Sequence, residues 1–527
     1  MRRFADERAP ATLAGASVVV SLLFAAPAIY LIIRNFTTGS SLGELLLSDQ
    51  TLGPLRRTLL LATLVSVSTA VLGTGLAWLT TRTDLPFRKA FRVILTLPLV
   101  YPTFLGAAAL VRTLNPGGLL NDTLESFGVD NTPTLSGLSG AWLVLTLLTY
   151  PYVLLPVAAR LSRLPGSIEQ TARLLGEGTF TILRRVILPQ AAGSITAGTL
   201  LVFLYTISDF GAVAILRYDT LTRSIEANRL NPPVALALSL LLLILAAVVV
   251  FAERVAQRRR GTFATSNRVD PPANVRLGML RLPTTLGVSF IALLALGAPL
   301  AAILEWSVRG LAQGRELRID GGQVAEITGN TLGVSAFAAV FTVLLVLPIA
   351  ILYGRHRSRI GSISHAVAIS TFALPGILIA LAGIFFIRQN AWTFSTFHNT
   401  LGILVFAYAV RFAALAMGTT LLAVLAVPAG LTDAAQTLGA SRKRRFQSVE
   451  FPIMIPGLLA AGGLVLLSTM KELPISLLLS PFEFETLATR IFGTFNEAFI
   501  TEAGIMALVL VVISFLATWF LIIRPSE

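Results

Sequence analysis

An all-α membrane protein of about 12 transmembrane helices, arranged as two tandem six-helix repeats, is predicted by three observations. Hydrophobic residues fill 55% of the 527 positions and charged residues only 13%, against about 25% charged in a soluble domain. Mean hydropathy is +0.79, so most side chains must face lipid or other helices. Apolar runs of about 20 residues, the length that crosses a hydrocarbon core, recur along the chain, and one polar loop occurs twice.

The charge balance excludes other classes. Lys+Arg is 41 and Asp+Glu 27, a net +14. In a soluble chain that excess would suggest nucleic acid. Here the basic residues sit in short loops between apolar runs, as the positive-inside rule requires, and no nucleic-acid partner is expected. With no cysteine, disulfides, thiolate metal sites and thiol catalysis are ruled out. His356, His365 and His398 show no metal-ligand spacing, and neither cofactor nor metal is expected.

A basic arm with Arg2, Arg3 and Arg8 precedes the first apolar run, about Leu13 to Ile33. That run is too long for a signal-peptide core and carries no evident cleavage site, so it is read as the first span. Further spans are expected at 56–80, 92–112, 139–160, 191–215 and 232–252. A second set follows at 284–307, 330–353, 365–388, 399–424, 453–475 and 502–523. Barrel strands would instead be about 10 residues long and alternating. Residues 253–283, polar and basic with Arg258-Arg259-Arg260 and Asp270-Pro271-Pro272, form a linker between repeats at 1–252 and 284–527. Most basic residues fall in 1–12, 81–91, 161–190, the linker, 354–364, 425–452 and the C-terminal tail. This places those segments and both termini in the cytoplasm, with Arg309, Arg315 and Arg318 on the outer side.

The repeated loop reads LPGSIEQTARLLGEGTFTILRRVILPQ at 164–190 and VPAGLTDAAQTLGASRKRRFQSVEFPI at 427–453. Pro165 pairs with Pro428, Ala172 with Ala435, Leu175 with Leu438, Gly176 with Gly439 and Pro189 with Pro452, all at one offset of 263 residues. The likeness continues outward, from Asp209 to Glu472 at the same offset, and from DTLTRSI at Asp219 to ETLATRIF at Glu485. A segment of helical spacing ended by glycine, which reaches positive φ without steric cost, predicts a short helix and a bend. A second short helix and a proline tolerated in the first turn of the next helix follow.

These residues carry a resemblance. The loop resembles the EAA motif, EAA-x3-G-x9-I-x-LP, of inner-membrane permeases of binding-protein-dependent ABC importers. Asp433-Ala434-Ala435, Gly439 and Phe451-Pro452 fill it in the second copy. Gln170-Thr171-Ala172, Gly176 and Ile187-Leu188-Pro189 fill it in the first, with Glu169 one position early. The resemblance implies a type I importer fold in which each EAA loop is a coupling helix seated on a separate ATP-binding subunit. It implies two such subunits, an extracytoplasmic binding protein, surrounding lipid and a place in the bacterial inner membrane. The coupling contacts would come from Gln170, Ala172, Gly176, Pro189, Asp433, Ala434, Ala435, Gly439 and Pro452. The chain agrees in one respect: its lysines, Lys89, Lys443 and Lys471, follow Arg88, Arg442 and Met470. A P-loop needs Gly before Lys, so ATP hydrolysis is expected on another chain.

Among fused two-repeat permeases the chain is most similar to the ferric-iron group, through KELPISLLLSPFEFETLATRIF (471–492) and RTDLPFRKAFRVILTLPLVYP (82–102). Thiamine, polyamine, sulfate and aminoethylphosphonate permeases share the layout and stand as alternatives. Ionisable residues at membrane depth default to functional candidates. Arg411 is expected near the middle of the tenth helix, and Asp209, Lys471 and Glu472 toward the ends of the fifth and eleventh. Either they line a translocation pathway, the acids receiving a hard cation such as Fe³⁺ that prefers oxygen, or they fix helix packing and snorkel. An ion-coupled secondary transporter is the rival class, but it has no need of paired docking loops. A membrane enzyme would need a catalytic constellation that is not visible in the sequence.

Overall fold

A computed structural model describes residues 10–37, 42–116, 118–119, 134–258, 275–312, 319–356 and 358–520. Arg2, Arg3, Arg8, Arg259, Arg260, Asp270-Pro271-Pro272, Arg315, Arg318, the tail from 521 and the side chains of Arg258 and Arg309 lie outside the described residues. Within them the chain is helical, and one isolated bridge joins Thr83 to Val275.

Among the described residues ten helices are long and apolar enough to span a membrane. Two further spans exist only as bent pairs: Arg88–Val100 with Thr103–Leu114, at 104°, and Arg359–Ala373 with Gly376–Ile387, at 101°. Counting each pair as one span gives up to 12. The spans expected at 92–112 and 365–388 are thus present as these bent pairs. The cause is local. A proline disfavours helical backbone in the residue before it, and Tyr101 and Leu374, preceding Pro102 and Pro375, are extended at ψ 131° and 108°. The fifth and eleventh spans also stop early, at Ser208 and Thr469. Short helices, Gly211–Ile215 and Pro474–Leu479, follow them.

The chain forms two compact units, one of residues 1–42, 231–243 and 314–527 and the other of residues 43–230 and 244–313. In one unit, helices Gly321–His356, Leu401–Leu425 and Phe451–Thr469 pack together around Val346, Tyr408, Met417, Met454 and Val465. Helix Ala11–Thr37 joins this unit rather than the core that follows it in sequence. Ser364 Oγ donates to the Ser17 carbonyl at 3.4 Å, and Tyr30 meets Phe386 edge-on at 6.0 Å.

In the other unit, Asp49–Arg82, Pro151–Ser162 and Leu188–Ser208 form the equivalent triad. Val153 sits so close to Gly73 and Gly198 that a methyl group at either would come within 2.8 Å of it. Small residues let helices in lipid approach this closely. Helix Ala298–Ala312 completes this unit against Thr103–Leu114. Arg112 reaches Glu305 at 3.1 Å, and the Tyr101 hydroxyl donates to the Leu296 carbonyl at 3.2 Å. Each leading helix thus sits with the core of the other sequence half. The duplication is visible down to single bonds: the Thr58 hydroxyl accepts from the Leu221 amide at 2.8 Å, and the Thr331 hydroxyl from the Leu487 amide at 2.8 Å.

Candidate functional site

The repeated loops fold alike. Each opens with a nine-residue helix, Gly166–Leu174 or Ala429–Thr437, that starts after a proline. In the first, the Gly176 amide donates to the Arg173 carbonyl at 3.0 Å and the Glu177 amide to Ala172 at 3.1 Å. In the second, Gly439 donates to Gln436 and Ala440 to Ala435, both at 3.0 Å. Both are complete Schellman turns, with Gly176 at φ +84° and Gly439 at φ +79°. Nothing lies within 4 Å of a methyl group at either glycine, so glycine is needed for its backbone conformation and not for space.

The segment after the turn differs from expectation. Thr179–Ile182 and Arg442–Arg445 are not separate helices that end before the membrane. Each runs through a π turn, Leu183–Ile187 or Phe446–Glu450, straight into the spanning helix. Pro189 and Pro452 lie in the first turn beyond it. A proline inside a helix cannot donate to the carbonyl one turn back and crowds it, and the wider π turn takes up that mismatch.

The loop helices present apolar side chains to the outside. Leu174 is 88% exposed and Leu438 87%, and Leu175, Phe180 and Leu431 are also exposed. Gln170 in the first loop and Asp433 and Ala434 in the second are also exposed, while Ala172 and Ala435 are partly covered. Each short loop helix therefore carries uncovered apolar groups beside its Schellman turn.

Beneath this surface each loop holds one buried glutamate, and neither was singled out for this role in the sequence. Glu169 meets Arg82 at 2.9 Å, and Arg82, fully buried, also donates to the Leu164 carbonyl at 2.9 Å. Burial pushes the Glu169 carboxyl up, while Arg82 and Arg173 pull it down. In the second loop Glu450 takes Arg355 at 2.5 Å and Arg445 at 3.1 Å. Arg445 in turn donates to Gln436 at 3.2 Å.

The four ionisable candidates cluster by half at the breaks in the spans. Asp209 follows the end of its helix and is buried. Its carboxylate accepts from Thr103 Oγ1 at 2.5 Å and from the Ala212 and Val213 amides at 3.0 and 3.4 Å. It therefore joins the broken span, whose second helix begins at Thr103, to the short helix at Gly211. Glu472 occupies the equivalent place in the second half. Its carboxylate lies over Gly376, the first residue of the other broken span's second helix, where a methyl group would come within 2.3 Å of Oε1. Arg411 donates to the Leu374 carbonyl at 2.7 Å, satisfying the backbone the break leaves open. Lys471 is partly buried beside Glu472. Among the described residues no group of three or more His, Asp or Glu side chains is placed to hold a metal ion.

A helical core built twice, with a broken span and a glycine-ended loop helix in each copy, defines a transport subunit of the membrane. The chain belongs to the family of binding-protein-dependent transport system inner membrane components, which residues 69–261 and 346–523 match. It is thus a multi-pass inner-membrane protein of the ABC permease class. It is 27% identical over 503 residues to the Fe(3+)-transport system permease protein FbpB 2 of Haemophilus influenzae, covering 94% of this chain and 95% of that one. It is 25% identical to the sulfate transport system permease protein CysT of Salmonella typhimurium, over 41% of this chain and 80% of that one. It is 31% identical to the molybdenum transport system permease protein ModB of Azotobacter vinelandii, over 32% of this chain and 74% of that one.

Proposed function

We propose that this chain is the permease of an importer that moves ferric iron inward, driven by ATP hydrolysis on two separate ATP-binding cassette subunits. The iron would arrive on an extracytoplasmic binding protein. The observation that carries the substrate is the match to a Fe(3+) permease over 94% of the chain, both halves included, where the sulfate and molybdenum relatives match less than half. The two loop helices are the docking sites for the ATPases, through Gln170, Ala172, Gly176 and Pro189 in the first and Asp433, Ala434, Ala435, Gly439 and Pro452 in the second. This reading puts both loops and both termini in the cytoplasm, in keeping with their basic residues.

Asp209, Glu472, Lys471 and Arg411 belong to the translocation pathway in this proposal. Asp209 already accepts three hydrogen bonds. Its contribution is then to set the shape of the break rather than to offer an unoccupied oxygen to the ion. The test is uptake of radiolabelled Fe³⁺ in a strain lacking other iron importers, with and without the chain and its ATPase. Uptake that depends on both is expected. Growth rescue by sulfate or thiamine without iron uptake would move the chain to another branch of the family.

A further inference from the structure

Arg82 and Arg355 close the equivalent helices Asp49–Arg82 and Gly321–His356, each 24 residues after the matching hydroxyls of Thr58 and Thr331. Each holds a buried glutamate of the loop below it, but the glutamates come from opposite ends of the loop. At the 263-residue offset Glu169 pairs with Thr432, and Glu450 pairs with Ile187. Thr432 is buried with its hydroxyl turned to the Ala429 carbonyl at 2.6 Å, and Ile187 is buried in the first loop's π turn. The acid has changed places between the copies while the arginine has stayed.

Resting on the docking reading above, we propose that Arg82–Glu169 and Arg355–Glu450–Arg445 are the struts that hold each docking helix to its core. They are positioning residues for the coupling of ATP hydrolysis to transport. The two struts act at different points. Glu169 lies within the docking helix, so the first helix is gripped directly. Glu450 lies behind the glycine turn, and its hydrogen-bonded link to the second docking helix runs through Arg445 and Gln436. A buried pair broken on one side leaves an uncompensated charge, so a strut that fails lets its docking helix move independently of the core.

The measurement is iron moved per ATP hydrolysed, in vesicles carrying the assembled transporter and its loaded binding protein. A loss of stability lowers the amount of transporter, not this ratio. Glu169→Thr should lower the ratio at least several-fold while the ATPase still copurifies. Adding Ile187→Glu, which puts the acid where the second loop has it, should restore most of the ratio. Arg82→Lys keeps the charge but cannot hold both Glu169 and the Leu164 carbonyl, and should fall in between. An unchanged ratio in Glu169→Thr and Arg82→Lys would overturn the proposal. So would a double variant that assembles with the ATPase yet stays as uncoupled as the single one. A parent chain that binds no ATPase at all would instead overturn the docking reading, and the struts with it.

Discussion

At the break in its third span the first half places Thr103 beneath Asp209, and at the same place the second half puts Gly376 beneath Glu472. One half uses a short acid and a hydroxyl that reaches up to it. The other uses an acid one methylene longer and removes the side chain below. The residues differ and the carboxylate stays over the start of the second helix, where the exposed amide ends of the helix favour negative charge. The repeated loops make the same kind of exchange, moving the glutamate from one end to the other under a fixed arginine. What the two halves share is therefore a charge brought to the same partner, a helix start at the break and an arginine at the loop, and the residue that supplies it is free to vary.

The loop turns should be the least tolerant point of this shared geometry. A β-branched residue held at positive φ costs about 1–2 kcal/mol, so Gly439→Val should open the Schellman turn. We expect it to abolish substrate-stimulated ATP hydrolysis while the protein still inserts. Gly176→Val should do the same or slightly less. Full stimulation in both would remove the coupling role from the loops.

The acids come next. Asp209→Asn combined with Glu472→Gln should lower Fe³⁺ uptake at least several-fold with ATPase assembly normal, and each single variant should be milder. Unchanged uptake in the double variant would assign both residues to packing alone. A smaller effect tests the exchange itself. Gly376→Thr should crowd the Glu472 carboxylate and reduce uptake, and adding Glu472→Asp, which rebuilds the first half's pair, should recover it. Failure of that recovery would mean that the two breaks are not interchangeable. The smallest effect concerns Arg112 and Glu305. Replacing both with glutamine leaves a neutral hydrogen-bonding pair, and thermal unfolding in detergent should change by about 1 kcal/mol or less. Finally, native mass should count two ATPase subunits per chain, whether one kind or two, since each half offers one loop.

The sequence made the duplication readable because prolines and glycines at a constant offset fall in polar loops, where chance likeness is low. It also carried the broken spans, in Pro102 and Pro375, yet by hydropathy the two helices on either side of the 104° bend pass together as one span. The struts were not readable. Arg355 and Glu450 are 95 positions apart, and a lone arginine at a helix end looks like any other loop cation. Nor was the placement of the leading helices, since Ala11–Thr37 is apolar around most of its circumference and carries no mark of its neighbour.

That placement orders the protein in time. The ribosome delivers helix Ala11–Thr37 long before the helices it rests against, which begin at Gly321. An apolar helix is content in lipid, with no solvent driving it to pair early, so it can wait while the intervening spans are inserted. The unit begun first is then the last to close. A polypeptide interrupted after the first half would leave one core without its leading helix and one leading helix without a core. Two half-length polypeptides made in the same cell would have to find each other before either could finish folding.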